Sequence, residues 1–416
     1  MDRTQKRNLF ILALVGLLYF SAFLFPNAST LGSDNPRVYL DRDEYVTYPI
    51  VERMLLFEGS ASTIWARLII YGDYHYGYPF YFFSMLTLLP WRLLRGVAFF
   101  EYTPFNILML RQFINVLPMV LTAGAFTWLQ TRLRSLWKSL LLFALLLSIP
   151  AVVRSNLHWW HPDSLMLLCI ALTFLFLDLD EFRLGRHFYL AAVACGLAAA
   201  IKLTGLFFFL TIPLYLLINW RRQRLPLKRV ALAALGFVLL MAAVVVLSNP
   251  FMFYSGPRSE MLAIQEFKAQ ELSEGYSHEE SIYYQKGAKF WRWTLKVSYG
   301  KPWNILYALF GALLAGCLFA ERRELNWLIA AWSLPLGIYL MYFVAPKPDH
   351  YLLPWMLPLF AALLAPLELL EKAWHDARAW VRWPAMAGML IAAWLFVIQM
   401  QFQLSASAGL FLKYFK

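Results

Sequence analysis

The sequence predicts an all-α polytopic membrane protein with a bundle of about 11 transmembrane helices. Three observations carry that prediction. Hydrophobic residues fill 61% of the 416 positions and charged residues only 15%, against roughly 25% charged in a soluble domain. The apolar residues gather in runs that approach or exceed the ~18 residues needed to cross a bilayer. Lys and Arg give a net charge of +12, yet they sit mainly in short turns between those runs, a pattern of membrane orientation rather than of a nucleic-acid face.

The elements follow in order. MDRTQKR places Arg3, Lys6 and Arg7 ahead of an apolar run from Asn8 to Phe25. That run is longer than a signal-peptide core and lacks an A-x-A site, so it reads as a retained first span with a cytoplasmic N-terminus. A first outer loop, 26–104, contains an aromatic-rich run from Tyr78 to Leu94. Further apolar runs come at 105–129, 136–153, 163–177, 187–201, 203–219, 230–248, 304–320, 325–345, 351–370 and 383–402.

Charge parity decides whether Tyr78–Leu94 crosses. If it stays outside as an interfacial or re-entrant helix, three basic turns share the side of the N-terminus. These carry Arg132, Arg134 and Lys138; Arg221, Arg222, Arg224, Lys228 and Arg229; and Arg322 and Arg323. If it crosses, RRQRLPLKR moves outside, against the positive-inside rule. The first arrangement is therefore expected, with juxtamembrane helices in the first loop. The turn 154–163, the long loop 249–303 and the turn 345–351 then join the first loop on the outer face. Met261, Leu262, Ile264 and Phe267 give the long loop a side that suits the membrane surface. The chain 1–416 reads as a single integral membrane domain with no appended soluble domain and no internal repeat. Its tail brings Lys413 and Lys416 toward anionic head groups.

Chemistry-bearing residues collect on that outer face. Cys169, Cys195 and Cys317 lie inside apolar runs without ligand spacing and read as packing residues. Asp41, Asp43 and Glu44 follow the first span in VYLDRDEYVTY. A carboxylate there can act as a general base, while its neighbour binds a metal or a sugar hydroxyl, or balances a nearby arginine. His75 stands beside Asp73 among aromatics. Asp163 begins an apolar run, where a helix dipole favours it, and shares its turn with His158 and His161, a generic spacing for a metal site. Lys202, and the group Lys347, Asp349, His350 and Tyr351, are costly near lipid unless paired, which makes them functional candidates. Carboxylates suit proton abstraction, cations suit phosphate, and aromatic faces suit sugar rings or isoprenoid tails. Together they point to a lipid-phosphate-linked sugar.

Several blocks in their order carry a resemblance. Asp43-Glu44, YHYGYPFYFF, RSNLHWWHPDSLMLL, AAAIKLTGLFF, the NPF at 249–251 and KPDHYLLPWMLP resemble the blocks of polyprenyl-phosphate-sugar-dependent glycosyltransferases with the GT-C fold. The similarity is to the group containing protein O-mannosyltransferases and the lipid A aminoarabinose transferase, and it runs from about residue 8 to about 365. It implies an inverting transfer to a hydroxyl of a lipid, glycan or protein acceptor. Asp43 matches the base of that reaction. The phosphate leaves without a general acid and needs cations. Lys202 matches the family's lysine, and His350-Tyr351 its basic-tyrosine pair, with His350 where arginine is common and Lys347 as the alternative source of charge. Asp163 matches an acid that binds acceptor or orients the site. Asp41, Glu44 and His75 complete the expected substrate-binding set.

The resemblance also implies an active site on the outer, periplasmic face of a bacterial-type cytoplasmic membrane. Mg²⁺ or Mn²⁺ is allowed by the paired acids and histidines but not required, because protein cations can stabilise the phosphate. A secondary transporter or flippase, or a non-catalytic assembly subunit, are the readings from other classes. The first would place its charges near the bilayer midplane on discontinuous helices, and the second would tolerate Asp43→Asn.

Overall fold

The structure, a computed structural model, describes residues 1–33, 35–275, 282–376 and 379–413, so Lys416 and residues 276–281 of the long loop lie outside the described residues. Every regular element among the described residues is helical. Helix α1 (Arg3–Ala28) starts on a capping box, in which Asp2 accepts from the Gln5 backbone and the Gln5 side chain accepts from the Asp2 N–H. That reciprocal pair satisfies two N–H groups that a helix start leaves unbonded. The first loop holds α2 (Arg42–Met54) and α3 (Tyr78–Arg95).

The bundle continues with α4 (Thr103–Thr131), which contains a π-helical turn at Arg111–Val116. Next comes α5, made of Leu136–Leu147 and Pro150–Asn156 with a 64° bend between them. Pro150 has no N–H to continue the helical ladder, so the chain turns there. Helices α6 (Asp163–Asp180), α7 (Arg186–Ile201), α8 (Leu203–Gln223) and α9 (Leu227–Leu247) follow. The long loop contributes α10 (Ser255–Glu274). The chain closes with α11 (Pro302–Phe319), α12 (Arg323–Phe343), α13 (Asp349–His375) and α14 (Ala379–Leu412).

Polar ties fix which ends meet. At the start of α1, Gln5 Nε2 donates to the Arg132 carbonyl (2.9 Å) and Asn8 Nδ2 to that of Leu133 (2.7 Å). At its other end Asn27 Nδ2 donates to the Asn156 carbonyl (3.0 Å). The basic turns expected beside the N-terminus meet at the first of these ends. There Arg132 and Arg322 both pair with Asp178, Arg134 with Glu321 (3.4 Å), and Arg222 with Glu324 (3.6 Å). These groups line a cavity of about 1170 Å³.

Among the described residues, eight helices are long and apolar enough to cross a membrane, or ten if each of two bent pairs is one span. Eleven runs were expected, and all eleven are helices. Two fall below that measure for physical reasons: α6 carries Asp163, Asp178 and Asp180, and α7 is only 16 residues long. Helix α3 and its 3₁₀ extension to Glu101 meet it, although the run was expected to be interfacial. Both its ends are nevertheless tied to the same end of the bundle. At its start Gly77 N–H donates to the Ile201 carbonyl (3.2 Å) and Tyr78 N–H to Asn249 Oδ1 (2.9 Å). At its finish Arg92 Nε donates to the Leu55 carbonyl (3.1 Å), and Asn106 reaches both Phe99 and Tyr48.

Candidate active site

A buried ion pair builds the frame. Glu44 has no exposed surface and accepts from Arg111 Nε (2.8 Å) and Nη2 (2.6 Å), and from the Asp41 (2.8 Å) and Trp160 (2.7 Å) backbones. Its carboxylate thus ties α2 to α4 and to the turn 157–162. The π-helical turn also presents Asn115, which bonds the Trp159 carbonyl (2.7 Å) and the His161 N–H (3.0 Å). π-Bulges recur at functional sites because they re-aim side chains within a helix, and this one grips the turn twice. Trp160 packs under it, stacked on Phe80 (4.9 Å, 27°) and bonded to Ser84 (3.0 Å).

On that frame stands a row of polar side chains. Asp163, the first residue of α6, receives Lys202 Nζ at 2.6 Å on Oδ1 and faces His161 Nδ1 at 3.1 Å and His350 Nε2 at 4.0 Å through Oδ2. Asp163 lies at a helix N-terminus and Lys202 caps the C-terminus of α7, so both helix dipoles favour the charges they face. His161 Nε2 meets Tyr76 OH at 2.8 Å and lies 3.9 Å from Asp43 Oδ2. Trp159 stacks on the His161 ring (4.2 Å, 20°). Burial holds the His161 imidazole down at about 4, so it is neutral at pH 7. Burial also raises the Asp43 pKa, with Trp159 and Lys202 pulling it back. Asp43 keeps 45% of its side chain exposed, enough for a second molecule to reach it.

Beyond the row lies a cavity of about 490 Å³. Its polar end is formed by Asp163, Lys202, His350, Tyr76 and Lys268, and its walls by apolar side chains such as Phe207, Met252, Leu262 and Leu340. Lys268, from α10, donates to the His75 carbonyl (2.7 Å) and lies 4.4 Å over the Tyr76 ring. Burial, with Lys202 nearby, holds its ammonium down at about 8. The larger cavity at the other end contains none of these groups, and its charges are mostly paired among themselves.

The expected residues fall into distinct places. Asp43, Asp163, Lys202, His350 and Tyr351 come together, Tyr351 presenting its ring 5.1 Å from Lys202 Nζ. His75 lines the cavity and pairs with Asp73. Asp41 is the N-cap of α2 and diverges from Asp43. Glu44 is occupied by the frame. Lys347 is buried with its ammonium turned to the Val344 and Ala345 carbonyls and the Trp291 ring, away from the cavity. The grouping of His158 with His161 and Asp163 is corrected: His158 faces Arg111 (3.2 Å) and Ser29 (3.2 Å). His350 takes its place instead. His161, Asp163 and His350 offer ligand atoms within 4.8 Å of one another. They fit a cation if His161 gives up the proton on Nδ1, which leaves Nε2 to donate to Tyr76.

Lys268, Tyr76 and Arg111 were not singled out by sequence. Arg111 carried a signal, a lone charge inside a long apolar run.

The described residues form a helical bundle with membrane-length apolar spans and with carboxylates and lysines gathered at one end, the architecture of an integral membrane protein with a polar site, and solved structures share its fold. Archaeal oligosaccharyltransferase AglB from Archaeoglobus fulgidus, solved with an inhibitory peptide and a dolichol-phosphate, matches at a TM-score of 0.58 and 14% identity over 98% of this chain. The match covers 56% of AglB, so the chain spans little more than half of that protein's length. ArnT from Cupriavidus metallidurans matches at 0.50 and 14% identity, over 97% of this chain and 75% of ArnT. No curated protein sequence matches. The chain belongs to glycosyltransferase family 87, whose model matches residues 78–346.

Proposed function

We propose that this glycosyltransferase moves a sugar from a polyprenyl-phosphate donor to a hydroxyl of a lipid, glycan or protein acceptor, with inversion at the sugar C1. One observation carries the reading. The row Tyr76–His161–Asp163 separates an apolar-walled cavity, ending in cations, from a half-exposed carboxylate, Asp43. An inverting displacement needs its nucleophile and its leaving group on opposite sides of C1, and the row supplies those two sides.

In this mechanism the acceptor hydroxyl approaches Asp43, which takes its proton as the oxygen bonds to C1. The C1–O bond to phosphate breaks and its electron pair stays on the phosphate, where Lys202 offsets the developing charge. The apolar wall holds the lipid tail and excludes water. Asp163 keeps Lys202 oriented, and neutral His161 links Asp163 to Tyr76 and so holds the row rigid. His161, Asp163 and His350 are the residues that would hold a divalent cation, which would supply further stabilisation of phosphate charge.

Basic turns at the opposite end support a site on the outer, periplasmic face of a bacterial-type cytoplasmic membrane. Family membership weighs against the transporter, flippase and assembly-subunit readings. The test is transfer of radiolabelled sugar from a panel of polyprenyl-phosphate monosaccharides by the purified protein in lipid, with membrane extract as acceptor. Turnover with one donor, reduced roughly 10²–10⁴-fold in Asp43→Asn, is expected for loss of a general base. Failure with every donor by well-folded protein would sink the reading, and an EDTA arm decides the cation.

A further inference from the structure

The polar end of the cavity holds two ammonium groups, and they are not alike. Lys202 has a counter-ion, Asp163, at 2.6 Å. Lys268 has none: among the described residues no carboxylate lies within 4.0 Å of it, and its neighbours are the His75 carbonyl and the Tyr76 ring. Asp73, the acid next in sequence to that turn, is engaged by His75. Asp73, Asp163 and Asp43 act on Lys268 only at longer range. A lysine drawn out of water is normally paired, so a partly buried ammonium held by neutral groups leaves a charge to be matched.

We propose that Lys268 is the anchor for the donor phosphate. The proposal rests on the glycosyltransferase reading above and names the group within that site that takes the anion. Lys202 is then shared between Asp163 and the phosphate, while Lys268 gives the phosphate its own ion pair. When the C1–O bond breaks, the phosphate diester monoanion becomes a monoester dianion, and the second lysine meets that added charge.

The position of Lys268 is fixed by backbone atoms rather than by the sequence around it. Gln265, one turn earlier on the same face of α10, donates to the Tyr74 carbonyl (2.9 Å), and the Leu272 carbonyl accepts from Ala345 N–H (2.7 Å). The helix therefore docks on the first loop at one point and on the turn 345–351 at another, with Lys268 between.

The experiment measures binding of radiolabelled polyprenyl phosphate, and of uncharged polyprenol, to the full chain in nanodiscs. Wild type, Lys268→Gln, Lys268→Arg and Lys347→Gln are compared, with thermal melting as the check on folding. Lys268→Gln is expected to weaken polyprenyl phosphate about 10- to 100-fold, the loss of one charge-assisted contact, and to leave polyprenol unchanged. Lys268→Arg is expected to restore most of the affinity. Equal binding of polyprenyl phosphate by Lys268→Gln and wild type would overturn the proposal while leaving the donor reading intact. Wild type that prefers polyprenyl phosphate no more than polyprenol would overturn the donor reading itself, and the anchor with it.

Discussion

Asp43 and Glu44 are adjacent in sequence and opposite in circumstance. Glu44 is enclosed and fully bonded, so Glu44→Gln or Arg111→Met leaves half of a buried pair behind. The cost of breaking such a pair is about 3–5 kcal/mol, and the expected outcome is a large fall in melting temperature or loss of folded protein on gel filtration. Asp43 is the reverse case. Burial raises its pKa above that of free aspartate, so the folded chain holds the proton to a higher pH than the unfolded one. Stability contributed by that group is present at low pH and is lost as pH rises through the window between the two values. Asp43→Asn should therefore melt no lower than wild type at neutral pH while losing turnover. On the proposal that Asp43 is the base, it must be ionised to work, so the rate should fall as pH drops through the raised value, with an acid limb above that of free aspartate in a kcat/KM profile.

At the scale of elements, the site depends on how closely α3 meets α7. A Cβ on Gly77 would lie 1.6 Å from the Ala200 carbonyl oxygen, and the Gly77 N–H bonds the next carbonyl along. Gly77→Ala must push α3 away from the end of α7, moving Tyr76 relative to Lys202. A loss of transfer activity greater than the loss of stability is expected, read by assay and melting in parallel. Much of this arrangement was legible in the sequence. Asp163 and Lys202 sit where apolar runs begin and end, and span parity brings both to one face. Lys268 was not legible, because SEMLAIQEFKAQ marks it only as one charge on an amphipathic helix. What distinguishes it is the docking of α10 on Tyr74 and His75, a tertiary contact with no local pattern. Lys347 fails in the other direction: its position in KPDHY suggested the site, but the turn directs its ammonium at its own carbonyls.

For the whole molecule, the two ends of the bundle carry different kinds of charge. The end beside the N-terminus is closed by a network in which Asp178 takes both Arg132 and Arg322, drawing together the turns after α4 and α11. Asp178→Asn removes the shared acceptor of two cations, and a lower melting temperature is expected without a change in KM for either substrate. The count of spans was less legible than the side on which each turn falls. Acids inside α6 and the shortness of α7 leave two of the expected runs below any rule based on length and hydropathy, whereas the basic turns gather at one end of the bundle as their sequence suggested. The opposite end gathers Asp43, Asp163 and Lys202, with the row Tyr76–His161–Asp163 between the apolar-walled cavity and the half-exposed Asp43. On the proposed reading, a lipid-linked donor would enter on the apolar-walled side and an acceptor on the side of Asp43. Two such sides would let donor and acceptor bind in either order, which initial-rate kinetics with both substrates varied would read as intersecting lines without an obligatory first substrate.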